Sequence, residues 1–592
     1  MTPTSKALAA TLTLAAVALP AQRPAARASA PETRQRIVRS WMRTMTLRQK
    51  AAQLVVLPFY GDALNPRSED YQRYLGWVRN LRIGGLILLN RVQDGRLRHA
   101  EPHAMAAFLN RVQRAATIPL LVAGDFERGD SPRLESRTEF PHLMAFAATR
   151  DPALSRREGE ITARQARALG VPWILAPVAD VNNNPDNPII NIRSYSENPE
   201  EVSAHVRAFI EGAHASGGPV LVTAKHFPGH GDTAIDSHMA LAVNNAARER
   251  LQKVELVPFQ AAIAAGTDTI MTAHIAVPAL DAADVPATLS RPMLTGLLRG
   301  EMGFRGLIST DALDMQGITQ QWNAGEAAVR AIEAGADILL MPSDAEAAIA
   351  AVVSAIRGGR ISRERLDESV TRVLAAKVRL GLHRRRIINL DGMMDQLDMP
   401  EDIQTAQEVA DRAVTLVRNT GPSVPLSNPQ RVCFVLLTES RGSQQGRAFA
   451  AEVRRRAAEA RIMTLDPAAS EAELAQAAEA VKACDAVVAG AFISVAAYRG
   501  SVALAGDLAK LLESIIGNGK PVTLVALGNP YLLRSFPAVT AYLTTYSTVA
   551  PSEIAAVKAL FGEIPIRGRL PVTIPGLAAY GDGIQLPAAA AR

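Results

Sequence analysis

Short apolar runs, rich in Leu and β-branched residues, recur along the first 341 residues, and no other feature restricts the fold as much. They are Ala52–Leu57, Gly84–Leu89, Pro119–Ala123, Trp173–Pro177, Val220–Ala224, Thr269–Ala273, Leu307–Thr310 and Ile338–Met341. Uninterrupted apolar runs of this length fit strands buried on both faces, as in a parallel sheet covered by helices. The segments between them read as helices; Asp344–Ile356, after the last run, is Ala-rich with apolar residues at helical spacing. Eight such units predict a (β/α)8 barrel, with an open doubly wound sheet as the alternative. Polar residues follow the runs: Asn90, Asp125, Asp180, Lys225 and His226, His274, and Asp311. In a barrel these positions converge on one mouth, whereas in an open sheet they spread along an edge. That convergence favours the barrel.

The pattern breaks between Arg384 and Pro400. A second series then begins with Val432–Leu437, Ala486–Ala491, Val522–Leu527 and Ala541–Thr545, alternating with the helical stretches Glu471–Lys482 and Asp507–Ile516. A smaller three-layer α/β sandwich is predicted. The expected organisation is a barrel over 31–385, a connection over 386–410 and the sandwich over 411–592.

The net charge of +6 does not describe a nucleic-acid footprint: residues 1–50 carry +8, and the remaining 542 carry −2. The excess belongs to the N-terminus. Lys6 precedes a mostly apolar stretch, Leu8 to Leu19, and small residues end at Ala28-Ser-Ala30. This is the order of a secretory signal over residues 1–30, whose twelve-residue apolar stretch is too short to span a bilayer; a disordered or uncleaved amphipathic tail is the alternative. Export places Cys433 and Cys484 in an oxidising compartment, where they either pair or remain buried thiols. Hydrophobic content of 48% and charged content of 21% describe an ordinary globular interior and exclude a mainly disordered chain.

Chemistry concentrates in the segment Lys225-His-Phe-Pro-Gly-His-Gly-Asp-Thr-Ala-Ile-Asp-Ser-His238, which holds three of the ten histidines. Pro228, Gly229 and Gly231 make it a loop after a strand. Within it Asp236 lies two residues before His238, and a carboxylate on one ring nitrogen makes the other a usable proton shuttle. The bland alternative is a set of histidines that satisfy one another in a packed loop. A third reading takes His226, His230 and Asp232 as metal ligands, though no recognised zinc spacing supports it. Asp311 directly follows an apolar run and suits a nucleophile, or a stabiliser of positive charge at a sugar carbon. Asp314 lies three residues on. The loops Gly124-Asp-Phe-Glu-Arg-Gly129 and Asp180–Pro188, with Arg193 beyond, supply donors and acceptors suited to vicinal hydroxyls, or simply turns.

At these residues the chain resembles glycoside hydrolase family 3, in its β-N-acetylglucosaminidase branch. Lys225–His238 carries the match, supported in order by Met45–Lys50, Ala176–Val181, Met271–Ile275, Ser309–Met315, Gly528–Leu533 and Gly568–Val572. Where the branch often has Asp-Gln-Glu-Gly-Gly, this chain has Asp125-Phe-Glu-Arg-Gly129. The resemblance implies a retaining mechanism with Asp311 as nucleophile, His238 as acid/base and Asp236 as its partner. It also implies sugar binding by Asp125, Arg193, Lys225 and His226. It implies a carbohydrate substrate, no metal and no organic cofactor, with the second domain structural or facing the aglycone. An exported β-N-acetylhexosaminidase is expected. Another exo-β-glycosidase, a phosphorylase using phosphate as acceptor, and a catalytically inert sugar-binding protein are the alternatives.

Overall fold

The computed structural model describes residues 30–93, 96–421 and 423–589. The expected export segment, residues 1–30, lies outside them apart from Ala30, where the helix Ala30–Arg43 begins. Among the described residues, eight strands form one all-parallel sheet. They are β1 (Val55–Phe59), β2 (Gly85–Leu88), β3 (Leu121–Gly124), β4 (Trp173–Ile174), β5 (Leu221–Phe227), β6 (Thr269–Thr272), β7 (Leu307–Ser309) and β8 (Leu339–Leu340). Strand β8 pairs with β1 through Val55 and Leu339, and a parallel bridge from Ser309 to Ile338 joins the end of β7 to β8. The sheet therefore closes on itself, and the open-sheet alternative is excluded. Every residue of β2, β3, β5 and β6 is buried, as the continuous apolar runs require.

The second domain is a six-stranded sheet in the order β9-β14-β13-β12-β10-β11. Its strands are β9 (Thr415–Asn419), β10 (Val432–Leu437), β11 (Arg461–Leu465), β12 (Ala486–Ile493), β13 (Val522–Gly528) and β14 (Ala541–Thr544). Strand alternation splits its interior in two: Phe434 and Leu436 face one apolar core, while Cys433, Val435 and Leu437 face the other. Helices cover both faces, giving the three expected layers. The second core also takes in Met144, Ala145, Ala148 and Ile192 from the barrel, so the domains share buried apolar surface. Residues 386–410 include a short turn at Met394–Gln396 and most of the helix Pro400–Ala413, whose Asp402 accepts Arg164 Nη2 on both carboxylate oxygens.

Strands β9 and β11 were missed in sequence. In β11 an exposed Arg461 and Thr464 alternate with half-buried Ile462 and Met463, the mark of an edge strand with little apolar signal. Strand β9 pairs antiparallel at the other edge and ends in polar, half-buried residues.

Cys433 and Cys484 are joined by a disulfide that closes 51 residues. Replacing both cysteines by alanine is expected to cost about 3–4 kcal/mol, mainly by freeing the unfolded chain. Urea denaturation of the two proteins, with the wild type also under reductant, measures it; an unchanged midpoint would remove the bridge as a stabilising element.

Candidate active site

The residues that the sequence singles out come together at the C-terminal ends of the barrel strands. Asp311 follows β7 and is partly exposed. Its Oδ1 accepts the Ala312 N–H at 2.7 Å. Burial pushes its carboxyl up, but the imidazoles of His274, His226 and His238 and the Ala312 N–H outweigh burial, holding it below the usual carboxylate range. An anion at this position is available for attack. Asp314, by contrast, is exposed.

His274, after β6, is buried and holds the turn that carries Asp311. Its Nε2–H donates to the Ala312 carbonyl at 2.8 Å, and its Nδ1 lies 2.8 Å from Thr288 Oγ1. Burial lowers its pKa, and both of its ring nitrogens are engaged. Sequence reasoning placed His274 at the mouth without giving it a role.

Lys225 and His226 lie near the end of β5. His226 donates from Nδ1 to Asp180 Oδ2 at 2.7 Å, which leaves Nε2 as the free ring nitrogen. Asp180 is fully buried beyond β4 and also accepts the backbone N–H of His226 and of His230, at 3.2 and 2.7 Å. The loop itself presses on the strand-4 connection: a Cβ at Gly231 would lie 1.7 Å from the Val181 carbonyl oxygen, so only glycine fits there.

Lys225 is the centre of a charge cluster. Its Nζ lies 2.8 Å from Asp125 Oδ1 and 2.7 Å from Glu127 Oε1. Arg193 grips Glu127 bidentately at 2.9 and 2.7 Å, and Arg133 reaches Asp125 Oδ2 at 2.8 Å. Burial raises the Asp125 carboxyl, but Lys225 and Arg133 overcome it and hold the group at about 2. Glu127 and Arg133 were not expected. Glu127 sat in a loop already marked as polar, whereas Arg133 gave no signal, because only the fold brings it beside Asp125.

Asp236 and His238 form the expected pair: His238 Nδ1 lies 2.7 Å from Asp236 Oδ1, which also accepts the His238 backbone N–H at 2.9 Å. The Asp236 side chain is 1% exposed and that of His238 is 24% exposed, so the carboxylate is enclosed and the ring faces the mouth. A carboxylate partner makes Nδ1 the donor and leaves Nε2 as the exchanging nitrogen. The loop meets the Asp311 side of the site directly, since Gln316 N–H donates to the His238 carbonyl at 3.4 Å.

His230 is enclosed between Thr233 Oγ1 and Ser237 Oγ, at 2.7 and 2.9 Å, and burial pushes its pKa down to about 4. It braces the loop. Asp232 turns to Arg250 at 3.0 Å. The third reading, a metal on His226, His230 and Asp232, is thereby corrected: both ring nitrogens of His230 are bonded, Asp232 turns to Arg250, and among the described residues no three such side chains are placed to hold a metal ion. A concavity between the helices Ala30–Arg43 and Arg363–Arg379 lies elsewhere and contains none of these groups.

An ionised carboxylate at the mouth of a closed parallel barrel, flanked by imidazoles and by a cluster able to hold hydroxyls, defines a barrel enzyme of glycoside chemistry. Residues 46–376 match the glycosyl hydrolase family 3 N-terminal domain, and residues 229–587 match the family's C-terminal domain. The chain belongs to glycosyl hydrolase family 3 and is a glycoside hydrolase. It is 31% identical over 520 residues to a β-N-acetylglucosaminidase/β-glucosidase of Cellulomonas fimi, covering 84% of this chain and 90% of that one. The structure of a family 3 β-N-acetylglucosaminidase from Paenibacillus sp. str. FPU-7 superposes with a TM-score of 0.80 at 32% identity, over 90% of this chain and 99% of that one. The β-glucoside phosphorylase BglX, bound to 2FGlc, gives a TM-score of 0.81 at 25% identity, over 92% and 97%.

Proposed function

We propose that this protein is an exported, retaining exo-β-N-acetylhexosaminidase that releases terminal N-acetylglucosamine from peptidoglycan fragments or chitooligosaccharides. In the first step an Asp311 oxygen bonds to the anomeric carbon while the bond to the leaving oxygen breaks, and that oxygen takes the proton of His238 Nε2. In the second step water gives its proton back to Nε2, its oxygen bonds to the anomeric carbon, and the bond to Asp311 breaks. The observation that carries this reading is the enclosed Asp236 holding Nδ1 of a mouth-facing His238 at 2.7 Å, on a loop bonded to the Asp311 segment. The names of the C. fimi and Paenibacillus proteins support the N-acetylglucosamine preference. The signal-like N-terminus and the Cys433–Cys484 bond support export.

The phosphorylase alternative turns on which acceptor enters the mouth. Asp125, Glu127, Asp180, Asp236 and Asp311 outnumber the cations Lys225, Arg193 and Arg133, each of which already faces a carboxylate. The structural likeness to the β-glucoside phosphorylase keeps phosphate as the rival acceptor, and the product formed in its presence separates the two readings.

A panel of 4-nitrophenyl β-glycosides tests the substrate. The N-acetylglucosaminide is expected to exceed the glucoside and xyloside in kcat/KM by about tenfold or more. Equal turnover of the glucoside overturns the preference. With phosphate present, free N-acetylglucosamine is the expected product, and accumulation of the sugar 1-phosphate overturns hydrolysis.

A further inference from the structure

The second domain sends a loop into the site. Residues 494–507 connect β12 to the helix Leu508–Gly517. Within that loop the backbone N–H of Tyr498 donates to Asp236 Oδ2 at 2.8 Å. The Tyr498 ring sits edge-on to the His238 ring at 5.2 Å between centroids. Gly500 lies against Met239, one residue past His238.

Asp236 thus spends one oxygen on His238 and the other on a different domain. Tyr498 adopts φ of 65°, a left-handed state unfavourable for a bulky side chain, and the residue stays 58% exposed. Such a conformation persists only where surrounding contacts impose it. Here those contacts converge on Glu439, in the connection after β10. Its carboxylate accepts Ser494 N–H at 2.9 Å, Ser494 O–H at 2.6 Å and Gln445 Nε2 at 2.6 Å, and it pairs with Arg499. One carboxylate therefore ties down both sides of the tyrosine.

We infer that the loop 494–507 is a positioning element for the proton shuttle, with Tyr498 as the positioning residue and Glu439 and Arg499 as its anchor. This rests on His238 being the acid. Tyr498 touches no reacting atom; it fixes the second oxygen of Asp236, and through Asp236 the orientation of the His238 ring toward the departing oxygen. The role differs from holding the sugar, which falls to groups on the barrel.

Two leaving groups separate these roles. Cleavage of N,N′-diacetylchitobiose needs a proton on the departing oxygen, whereas 2,4-dinitrophenyl β-N-acetylglucosaminide departs without one. In Glu439→Ala and Arg499→Ala, kcat/KM on chitobiose, which reads the step in which the leaving oxygen departs, is expected to fall about tenfold or more, while kcat/KM on the dinitrophenyl substrate stays within about threefold. Arg499→Lys should restore much of the loss. Tyr498→Gly keeps the N–H and suits the positive φ, so it isolates what the ring adds. The Arg499 side chain is 41% exposed, which makes its variant a safe second should Glu439→Ala fold poorly. Melting curves confirm that the proteins compared are folded.

His238→Ala is run alongside and should show the largest split between the substrates. If it shows the split and the anchor variants show none, or lose both substrates equally, the positioning role is overturned and the acid assignment stands. If His238→Ala itself shows no split, the acid assignment falls and the positioning role falls with it.

Discussion

Asp311→Ala is expected to lower kcat on an N-acetylglucosaminide by about 10⁴-fold or more, since the proposed mechanism gives this carboxylate the bond to the anomeric carbon. The structure prepares that group in two ways. His274 holds the Ala312 carbonyl at 2.8 Å and so fixes the turn, while nearby imidazoles and the Ala312 N–H keep the carboxyl ionised against burial. Alanine leaves a space where the carboxylate stood, and azide can enter it. Azide then attacks the anomeric carbon as the leaving group departs with the His238 proton, giving the glycosyl azide of inverted configuration. Recovery of turnover with azide, and the α-configured product, are the expected results in the variant. In the wild type, a 2-fluoro glycosyl fluoride should label the peptide containing Asp311, and fragmentation should place the sugar on that residue. A label on the exposed Asp314, or full activity of Asp311→Ala, would remove Asp311 as nucleophile.

The barrel was legible because its strands are buried on both faces. β2, β3, β6 and β7 are near-continuous apolar runs, and each is followed by the polar residue that reaches the mouth. Helix limits were legible where caps are written in the sequence: Asp344 caps the helix Ala345–Arg357, and Ser470 caps Glu471–Ala480. The edge strands β9 and β11 were not, since β11 alternates exposed with half-buried residues and β9 ends in half-buried polar ones, which leaves little apolar signal. The site divides along the same physical line. Asp236 and His238 are two residues apart, so their contact is local and the sequence could suggest it. Arg133 on Asp125, Arg193 on Glu127 and Tyr498 on Asp236 join positions 8, 66 and 262 residues apart. Such contacts exist only after the chain has closed, and no spacing rule reaches them.

Glu127 is where that distinction has the largest consequence, because one carboxylate there serves two enclosed cations. Its side chain is 19% exposed, against 18% for Arg193 and 2% for Lys225, so little water can replace it. Glu127→Gln keeps the shape but leaves Lys225 with Asp125, and Arg193 with the unbonded Asp180 and Asp125, to offset them. Breaking a buried pair from one side costs about 3–5 kcal/mol, and the amide recovers part of the hydrogen bonding, so a loss of about 3 kcal/mol in urea is expected. Released from Glu127, Arg193 and Lys225 lose their fixed placement, and if they grip the sugar as proposed, kcat/KM falls by about 10²-fold or more. Acid titration sharpens the test. Asp125 and Glu127 are both held below their ordinary values, Asp125 at about 2, by cations that overcome burial. A depressed carboxyl stabilises the fold fully above its unfolded value, near 4, and loses that contribution as pH falls through the folded value. The wild type should therefore lose stability from this cluster between about pH 4 and pH 2. Glu127→Gln should start lower at neutral pH and show a shallower decline over that interval, since one of the two carboxylates is gone. Equal denaturation midpoints at pH 7, together with an unchanged kcat/KM, would mean that Glu127 merely fills space beside the sugar-binding groups and does not organise them.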